Sequence, residues 1–358
     1  MTDVFTVVNV LRIFIVATIS FFAAIIITPF WIKILHKYNF DKKKVVREDV
    51  APIFSKLHQK KQGTPIGGGV IIWGTVLIVI FGLWFLMQIF PYNSLAKLNF
   101  LSRGQTFLPL GALIVSAVLG LIDDIWSVKG KGEKGRGLRM QDRFLFYTLI
   151  GIGGAWWFYY KLGFNSINIP FLGDLNIGIW YALFFVFVIV ASTFSANETD
   201  GLDGLLGGVA LTMFAALGVI AFVQERMDLV VFIAAIIGAL IAFLWNNIYP
   251  AKFFMGDTGA MALGTTIGVI AMFLNIPLLL PLIGIIFVIE SGSVLIQIWS
   301  KKIRSKKVFQ STPIHHHFEA LGWPEMQVTM RFWMVSAIGA ILGLILFLVD
   351  SKIPPLLG

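Results

Sequence analysis

The sequence contains no cysteine and few charged residues, since Asp, Glu, Lys and Arg make up only 13% of its 358 residues. The absence of cysteine excludes disulfide scaffolds, thiolate zinc sites, iron–sulfur clusters and cysteine nucleophiles. A soluble domain has about 25% charged residues, whereas this chain is 58% apolar and has a mean hydropathy of +0.86. This composition excludes a single-domain soluble enzyme and predicts an integral membrane protein.

Long apolar runs predict the membrane-spanning helices, because crossing the hydrocarbon core takes about 20 mostly apolar residues. Ten such runs are present, at about 10–32, 69–90, 107–122, 144–160, 177–195, 205–223, 229–245, 259–274, 276–299 and 332–349. No internal repeat or low-complexity linker separates them. We therefore expect an all-α integral membrane protein: one polytopic domain over residues 1–358 with about ten transmembrane helices.

The Lys and Arg residues are unevenly distributed between the predicted loops. Of the 28, 22 fall in alternate loops, at about 33–68, 123–143, 196–204, 246–258 and 300–331. Cytoplasmic loops of membrane proteins carry the excess of Lys and Arg. We therefore expect these loops in the cytoplasm and both termini in the periplasm. The net charge of +9 also favours attraction to anionic membrane lipids or nucleotides.

Four unusual polar clusters lie in these same loops or at the helix ends that face them. They comprise Asp123, Asp124, Asn197, Asp200, Asp203, Asn247, Asp257, His315, His316 and His317. Carboxylates that converge repel each other unless a cation or a bound proton intervenes. Mg²⁺ suits such a site, because it takes oxygen ligands and typically uses one or two carboxylates plus substrate phosphates. The pattern predicts an active site at the cytoplasmic face.

Two polar features leave alternatives open at this point. The triple histidine His315–His317 is either a solvated turn or a set of donors to phosphate oxygens, and consecutive helical residues point ~100° apart, so they cannot all bind one metal ion. Glu290 lies ~13 Å inside the ninth apolar run. It is either a functional residue or a partner in an interhelical hydrogen bond. The glycine-rich strings GTPIGGGV and GKGEKGRG lack the phosphate-binding pattern GxxxxGK[ST].

Several strings together carry a family resemblance, and they occur in order between residues 61 and 333: KQGTPIGGG, LGLIDDIW, NETDGLDGL, FLWNNIYPAKFFMGDTGAMALG, GIIFVIE and PIHHHFEALGWPE…RFW. They resemble the phospho-N-acetylmuramoyl-pentapeptide transferase family, within the polyprenyl-phosphate N-acetylhexosamine-1-phosphate transferases. The resemblance implies a homodimer in the bacterial inner membrane, with no nucleic-acid partner. It also implies transfer of phospho-MurNAc-pentapeptide from UDP-MurNAc-pentapeptide to undecaprenyl phosphate with Mg²⁺, which forms lipid I and UMP.

The resemblance also implies roles for individual residues. Asp257 would ligate Mg²⁺, and Asp123 and Asp124 would be the catalytic carboxylates, with Asp123 favoured as the base that acts on the lipid phosphate. His315, His316 and His317 would serve the phosphate and sugar region. The nucleotide site would be lined by Lys61, Asn197, Asp200, Gly201, Leu202, Asp203, Asn247 and Phe254, with Phe254 stacking on uracil.

The sequence departs from the family pattern at positions near this nucleoside pocket. Ile66 and Gly67 replace a usual Thr-Met pair, Phe194 replaces an Asn, and Ser127 replaces a Lys. These departures leave the predicted reaction class intact. Two alternatives stay open: a UDP-GlcNAc:polyprenyl-phosphate transferase, against which HHHFE argues, and a transporter, whose site would lie near the membrane midplane, where only Glu290 is ionisable.

Overall fold

The computed structural model describes residues 2–40, 63–89, 98–102, 104–132 and 137–350. Over these ranges the chain is almost entirely helical. The helices are α1 (Thr2–Lys37), α2 (Val70–Ile89), α3 (Phe107–Val128), α4 (Met140–Trp156), α5 (Trp180–Thr199), α6 (Leu205–Val223), α7 (Met227–Asn247), α8 (Asp257–Phe273), α9 (Leu280–Ile283), α10 (Ile285–Arg304), α11 (Ile314–Ala320) and α12 (Glu325–Val349).

Seven of the described helices are long and apolar enough to cross a membrane: α1, α2, α3, α5, α6, α7 and α12. Their outward faces carry large apolar side chains, such as Phe14, Phe85, Phe187 and Trp245, each more than half exposed. A soluble protein rarely exposes contiguous apolar surface on this scale, whereas a bilayer solvates it. The prediction of a helical multi-pass membrane protein is therefore confirmed.

Helix α8 forms the centre of the bundle, although it has only 17 residues. Every residue from Thr258 to Phe273 is buried, and α8 packs most extensively against α3 and α5. A Cβ added at Gly264 would come within 2.7 Å of the Ala196 side chain on α5, so this glycine permits the close approach of the two helices. The first residue of α8, Asp257, is thereby placed inside the bundle at its polar end.

A short β-hairpin is an exception to the all-α prediction. Strands β1 (Ser166–Ile169) and β2 (Gly173–Asn176) pair antiparallel, with Ile167 opposite Leu175. They lie between α5 and a π-helical turn at Trp157–Lys161 that follows α4. Strands of four residues are too short to show an alternating pattern in sequence, so the hairpin was not predicted.

The prediction of one helix over 276–299 is wrong. The chain turns at Asn275, which has φ +55°, and then forms the short α9 before α10 begins at Ile285. Pro277 and Pro281 lie in this stretch, and proline has no backbone N–H to continue a helical ladder. The break predicted near Asn275 is confirmed, and the apolar run after it is divided.

The segment 300–331, expected as a loop, contains the last turn of α10, the whole of α11 and the first turns of α12. The connection between α10 and α11 is held by the side chain of Gln297. Its Oε1 accepts the N–H groups of Val308 (2.9 Å) and Phe309 (3.1 Å), and its Nε2 donates to the Phe309 carbonyl (3.0 Å). These three hydrogen bonds return the chain to α10 and set α11 beside it.

Candidate active site

Asp257 opens α8, and the carboxylate of Asp124 on α3 holds this helix end in place. Asp124 Oδ1 accepts the backbone N–H of Asp257 at 3.0 Å, and its Oδ2 accepts that of Thr258 at 3.1 Å. The first N–H groups of a helix have no partner within it, and the helix dipole favours an anion there. A Cβ at Gly120 would overlap the Asp257 carbonyl, so glycine at that position lets α3 approach α8.

The guanidinium of Arg143 contacts two further aspartates at this end of α8, Asp123 and Asp257. Together with Asp124 they form the acidic centre. The Arg143 Nε lies 2.7 Å from Asp123 Oδ2, and its Nη2 lies 2.9 Å from Asp257 Oδ2. Asp123 Oδ1 also accepts the backbone N–H of Leu138 at 2.6 Å. The Asp123 side chain is fully buried, while those of Asp257 and Arg143 are 19% and 27% exposed. The centre is thus buried on the Asp123 side and open on the Asp257 side.

Arg143 and Tyr147 were not among the predicted site residues. They are one turn apart on α4, and the Tyr147 hydroxyl accepts a hydrogen bond from Asn197 Nδ2. Residues four apart share one face of a helix. The sequence signal for this pair was therefore an arginine and a tyrosine at that spacing beside an apolar run. Phe194, which departs from the family pattern, packs on Phe144 of the same helix, with ring centroids 5.2 Å apart.

The acidic loop 200–204 is tied to the segment that leads into α8. Asp200 Oδ2 accepts the N–H of Gly256 at 3.2 Å, and Asp203 Oδ2 accepts the N–H of Ala251 at 3.0 Å. The Asp203 N–H in turn donates to Glu325 Oε1 at 2.8 Å. These contacts place the predicted nucleotide residues of this loop next to the acidic centre around Asp257.

Two predicted nucleotide residues have buried side chains that serve the fold. Asn247 Oδ1 accepts the N–H of Gly204 at 3.1 Å and its Nδ2 donates to the Phe253 carbonyl at 2.8 Å, while Leu202 packs in the apolar core. Phe254 is half-buried, and its backbone carbonyl accepts the N–H of Gly68 at 2.9 Å. Of these three side chains, that of Phe254 is the one left accessible to a ligand.

The triple histidine lies on a helix, and the solvated-turn alternative is wrong. His315 Nδ1 lies 2.9 Å from Glu290 Oε2, and His316 Nδ1 lies 2.7 Å from Glu319 Oε2. Both of these imidazoles are buried, and His317 Nδ1 accepts the N–H of Gln310 at 3.2 Å. Glu290 therefore does make an interhelical hydrogen bond, and its partner belongs to the histidine motif.

The acidic centre is also where the sequence predicts a Mg²⁺ site. Within the described residues no three His, Asp or Glu side chains are arranged to enclose a metal ion. Mg²⁺ needs no such enclosure when substrate phosphates complete its coordination, and the partly exposed Asp257 offers carboxylate oxygens on the open side of the centre. The donor set fits Mg²⁺ bound together with a diphosphate. Lys61, predicted for the nucleotide site, lies outside the described residues.

Comparison with known proteins gives a consistent result. Residues 106–275 match the model of Glycosyl transferase family 4. A phospho-N-acetylmuramoyl-pentapeptide-transferase of Chloroflexus aurantiacus is 36% identical, covering 97% of this chain and 92% of its own. Proteins of the same name from Listeria monocytogenes (38% identical; 91% and 95% covered) and Geobacillus thermodenitrificans (37%; 93% and 97%) are also similar. The chain therefore belongs to the phospho-N-acetylmuramoyl-pentapeptide-transferase family.

Proposed function

We propose that this protein transfers phospho-MurNAc-pentapeptide from UDP-MurNAc-pentapeptide to undecaprenyl phosphate, which yields lipid I and UMP for peptidoglycan synthesis. Similarity to transferases of that name over nearly the whole chain supports the reaction. The observation that carries the site is the guanidinium of Arg143 between Asp123 and Asp257. Phosphoryl transfer depends chiefly on positioning and on neutralising charge, and this arrangement provides both at the end of membrane helices.

The transfer is a direct displacement at the β-phosphorus of the nucleotide sugar. An oxygen of the lipid phosphate forms the new P–O bond, the bond from the β-phosphorus to the bridging oxygen breaks, and UMP leaves with that electron pair. A phosphate monoester keeps its last proton up to a pH of about 6, and Asp123 accepts this proton when it is present. Arg143, together with Lys61, offsets the negative charge on the phosphate oxygens.

Asp124 supports direct displacement over a covalent enzyme intermediate. A nucleophilic carboxylate needs an oxygen free to attack, whereas both oxygens of Asp124 accept backbone N–H groups of α8. Asp123 is held by Leu138 and Arg143. A phospho-sugar adduct trapped on either aspartate in the absence of lipid would overturn this mechanism in favour of a double displacement.

Mg²⁺ is the proposed cofactor. Asp257 would hold it, because its carboxylate lies on the open side of the acidic centre and carries oxygen donors of the kind that Mg²⁺ prefers. The ion would supply positive charge against the diphosphate. Equilibrium binding of Mn²⁺ in the presence of UMP, followed by electron paramagnetic resonance, tests this assignment without turnover, and Asp257→Asn should abolish the binding.

The proposed topology has ten crossings, with the seven long apolar helices joined by α4, α8 and the α9–α10 pair. Both termini are placed in the periplasm and the active site at the cytoplasmic face, because Lys and Arg concentrate in the loops on that side. Because the protein has no native cysteine, single cysteines at positions 135 and 165 test this directly. Thiol reagents that cannot cross the membrane should label only position 165 from outside.

We also propose that the protein is a homodimer, which cross-linking in membranes tests.

The reaction itself is tested with one parallel assay. Purified protein receives undecaprenyl phosphate, Mg²⁺ and either UDP-MurNAc-pentapeptide or UDP-GlcNAc, and the release of UMP is measured. We expect release from the first donor only. Release from UDP-GlcNAc alone would assign the protein to the related GlcNAc-1-phosphate transferases instead.

A further inference from the structure

Glu290 and His315 form a buried pair that links α10 to α11. The carboxylate Oε2 lies 2.9 Å from imidazole Nδ1, and neither side chain is exposed to solvent. The backbone N–H groups of Ile314 and His315 also face this carboxylate. A carboxylate on one ring nitrogen fixes the orientation of the imidazole and decides which nitrogen carries the proton. Glu290 therefore determines where the opposite edge of the ring points.

That opposite edge lies against the acidic loop 200–204. A Cβ at Gly201 would overlap His315 Nε2 and would lie 2.6 Å from Cε1. The imidazole thus fills the space that any side chain at position 201 would need. This contact explains in physical terms why the loop has glycine there, and it joins the histidine motif to the loop predicted to bind the nucleotide.

The contact extends from this loop to the acidic centre. Asp200, next to Gly201, accepts the N–H of Gly256 at 3.2 Å, and Gly256 directly precedes Asp257. Contacts from Glu290 through His315, Gly201 and Asp200 therefore reach the residue that directly precedes α8. A displacement of the His315 ring changes the space available to the loop at the point where the loop meets the acidic centre.

We propose that Glu290 is a positioning residue which, through His315, supports loop 200–204 in the conformation that binds the uridine nucleotide. The inference rests on the proposed function. Glu290 contacts the imidazole and not the reacting atoms, so its loss acts on nucleotide affinity rather than on the chemical step. Burying a carboxylate inside the bundle costs free energy, and the fixed imidazole edge is the feature that this carboxylate provides.

The first test separates the two substrates. We expect Glu290→Leu to raise KM for UDP-MurNAc-pentapeptide roughly tenfold, as the loss of a buried hydrogen bond to a charged group allows, with KM for undecaprenyl phosphate within about twofold. Glu290→Gln keeps an acceptor oxygen for Nδ1 and should restore most of the nucleotide affinity. Ser291→Ala, which removes the hydrogen bond that Ser195 on α5 donates to α10 at 3.0 Å, is the matched control. An equal rise in KM for both substrates, or the same nucleotide defect in the control, would overturn the proposal.

The second test uses binding of UMP, measured by calorimetry on the full chain in detergent. Gly201→Ala should weaken UMP binding roughly tenfold, because the added methyl group displaces His315. In a His315→Ala background the same substitution should cost little, since the ring is gone. Residues in contact give such non-additive effects, whereas independent residues give additive ones. Additive losses would therefore reject the contact as the cause.

The two proposals fail in distinguishable ways. If the wild type binds UMP but transfers no phospho-sugar, the proposed function fails, and the double-mutant cycle still tests the contact between His315 and Gly201 through which Glu290 acts. If the wild type turns over normally and the cycle is additive, only the positioning role is rejected. A variant that does not fold is recognised by its size-exclusion profile. If Glu290→Leu is such a variant, UMP binding by the Gly201 and His315 variants gives the decisive comparison.

Discussion

The two ends of α8 are both polar, but they are stabilised in different ways. At its first residue, Asp257, carboxylates from α3 meet a guanidinium from α4. Just beyond its last turn, Asn275 Oδ1 accepts the N–H of Asn168 at 3.0 Å and its Nδ2 donates to Asp174 at 3.2 Å. At this second end, the Asn275 amide therefore links α8 to the β-hairpin by hydrogen bonds. The first end concentrates charge where charge is costly, and this is the difference between a site built for chemistry and one built for the fold.

The largest expected effect is at the charged end. Asp257→Asn removes one of the two carboxylates that flank Arg143 and the main proposed Mg²⁺ donor, so UMP release should fall about 10³-fold, the scale of losing one preorganised electrostatic group. The melting temperature should change little, because the backbone N–H at this position still donates to Asp124. Asp174→Asn at the hairpin end is the matched control, with turnover expected near the wild-type rate. Comparable losses in both variants would remove the distinction between the ends.

Arg143 should give the next largest effect. Arg143→Met keeps much of the side-chain length but leaves the buried Asp123 without its cation, so kcat should fall about 10²-fold. Arg143→Lys restores the charge without the fork that contacts two carboxylates at once, and it should recover only part of the rate. Steady-state UMP release measures both. Full recovery by lysine would show that charge alone is needed and that the bridging geometry is not.

Substitution of Asp124 should lower stability more than substitution of its neighbour. In Asp124→Asn the side chain keeps one acceptor oxygen, but its amide nitrogen cannot accept the Thr258 N–H, so the change should cost about 1–3 kcal/mol. Asp123→Asn should lower the activity with a smaller change in melting temperature, because Asp123 is held in part by the partly exposed Arg143. Thermal unfolding in detergent compares the two variants. An equal loss of stability would mean that both aspartates brace α8.

Much of the charged end could be predicted from the sequence. Asp123, Asp124 and Asp257 stand out because carboxylates at the edges of apolar runs are rare and costly. The division of roles between Asp123 and Asp124 could not be predicted, since it depends on which backbone N–H groups lie within reach after α3 and α8 have packed. In the sequence Arg143 is only one of several cations in a basic loop, because its bridging position depends on the tertiary approach of α4.

The other features show the same limit. The depth of Glu290 in an apolar run marks it as unusual in the sequence. Its partner, His315, is 25 residues away and lies on α11, a helix that the sequence around the three histidines does not predict. The hairpin was missed because four-residue strands carry no readable period. Apolar periodicity therefore predicts the membrane helices, whereas contacts between helices decide which polar residues meet.

The smallest expected effect is at the amide end. Asn275 has φ +55°, a conformation that glycine adopts freely and alanine does not. Asn275→Gly removes only the two side-chain hydrogen bonds and should lower stability by about 1–2 kcal/mol. Asn275→Ala adds backbone strain and should lower it by about 1 kcal/mol more. Both variants should release UMP within about twofold of the wild-type rate, because Asn275 lies at the far end of α8 from Asp257. A loss of turnover in step with the loss of stability would show that the hairpin end helps to position the catalytic end.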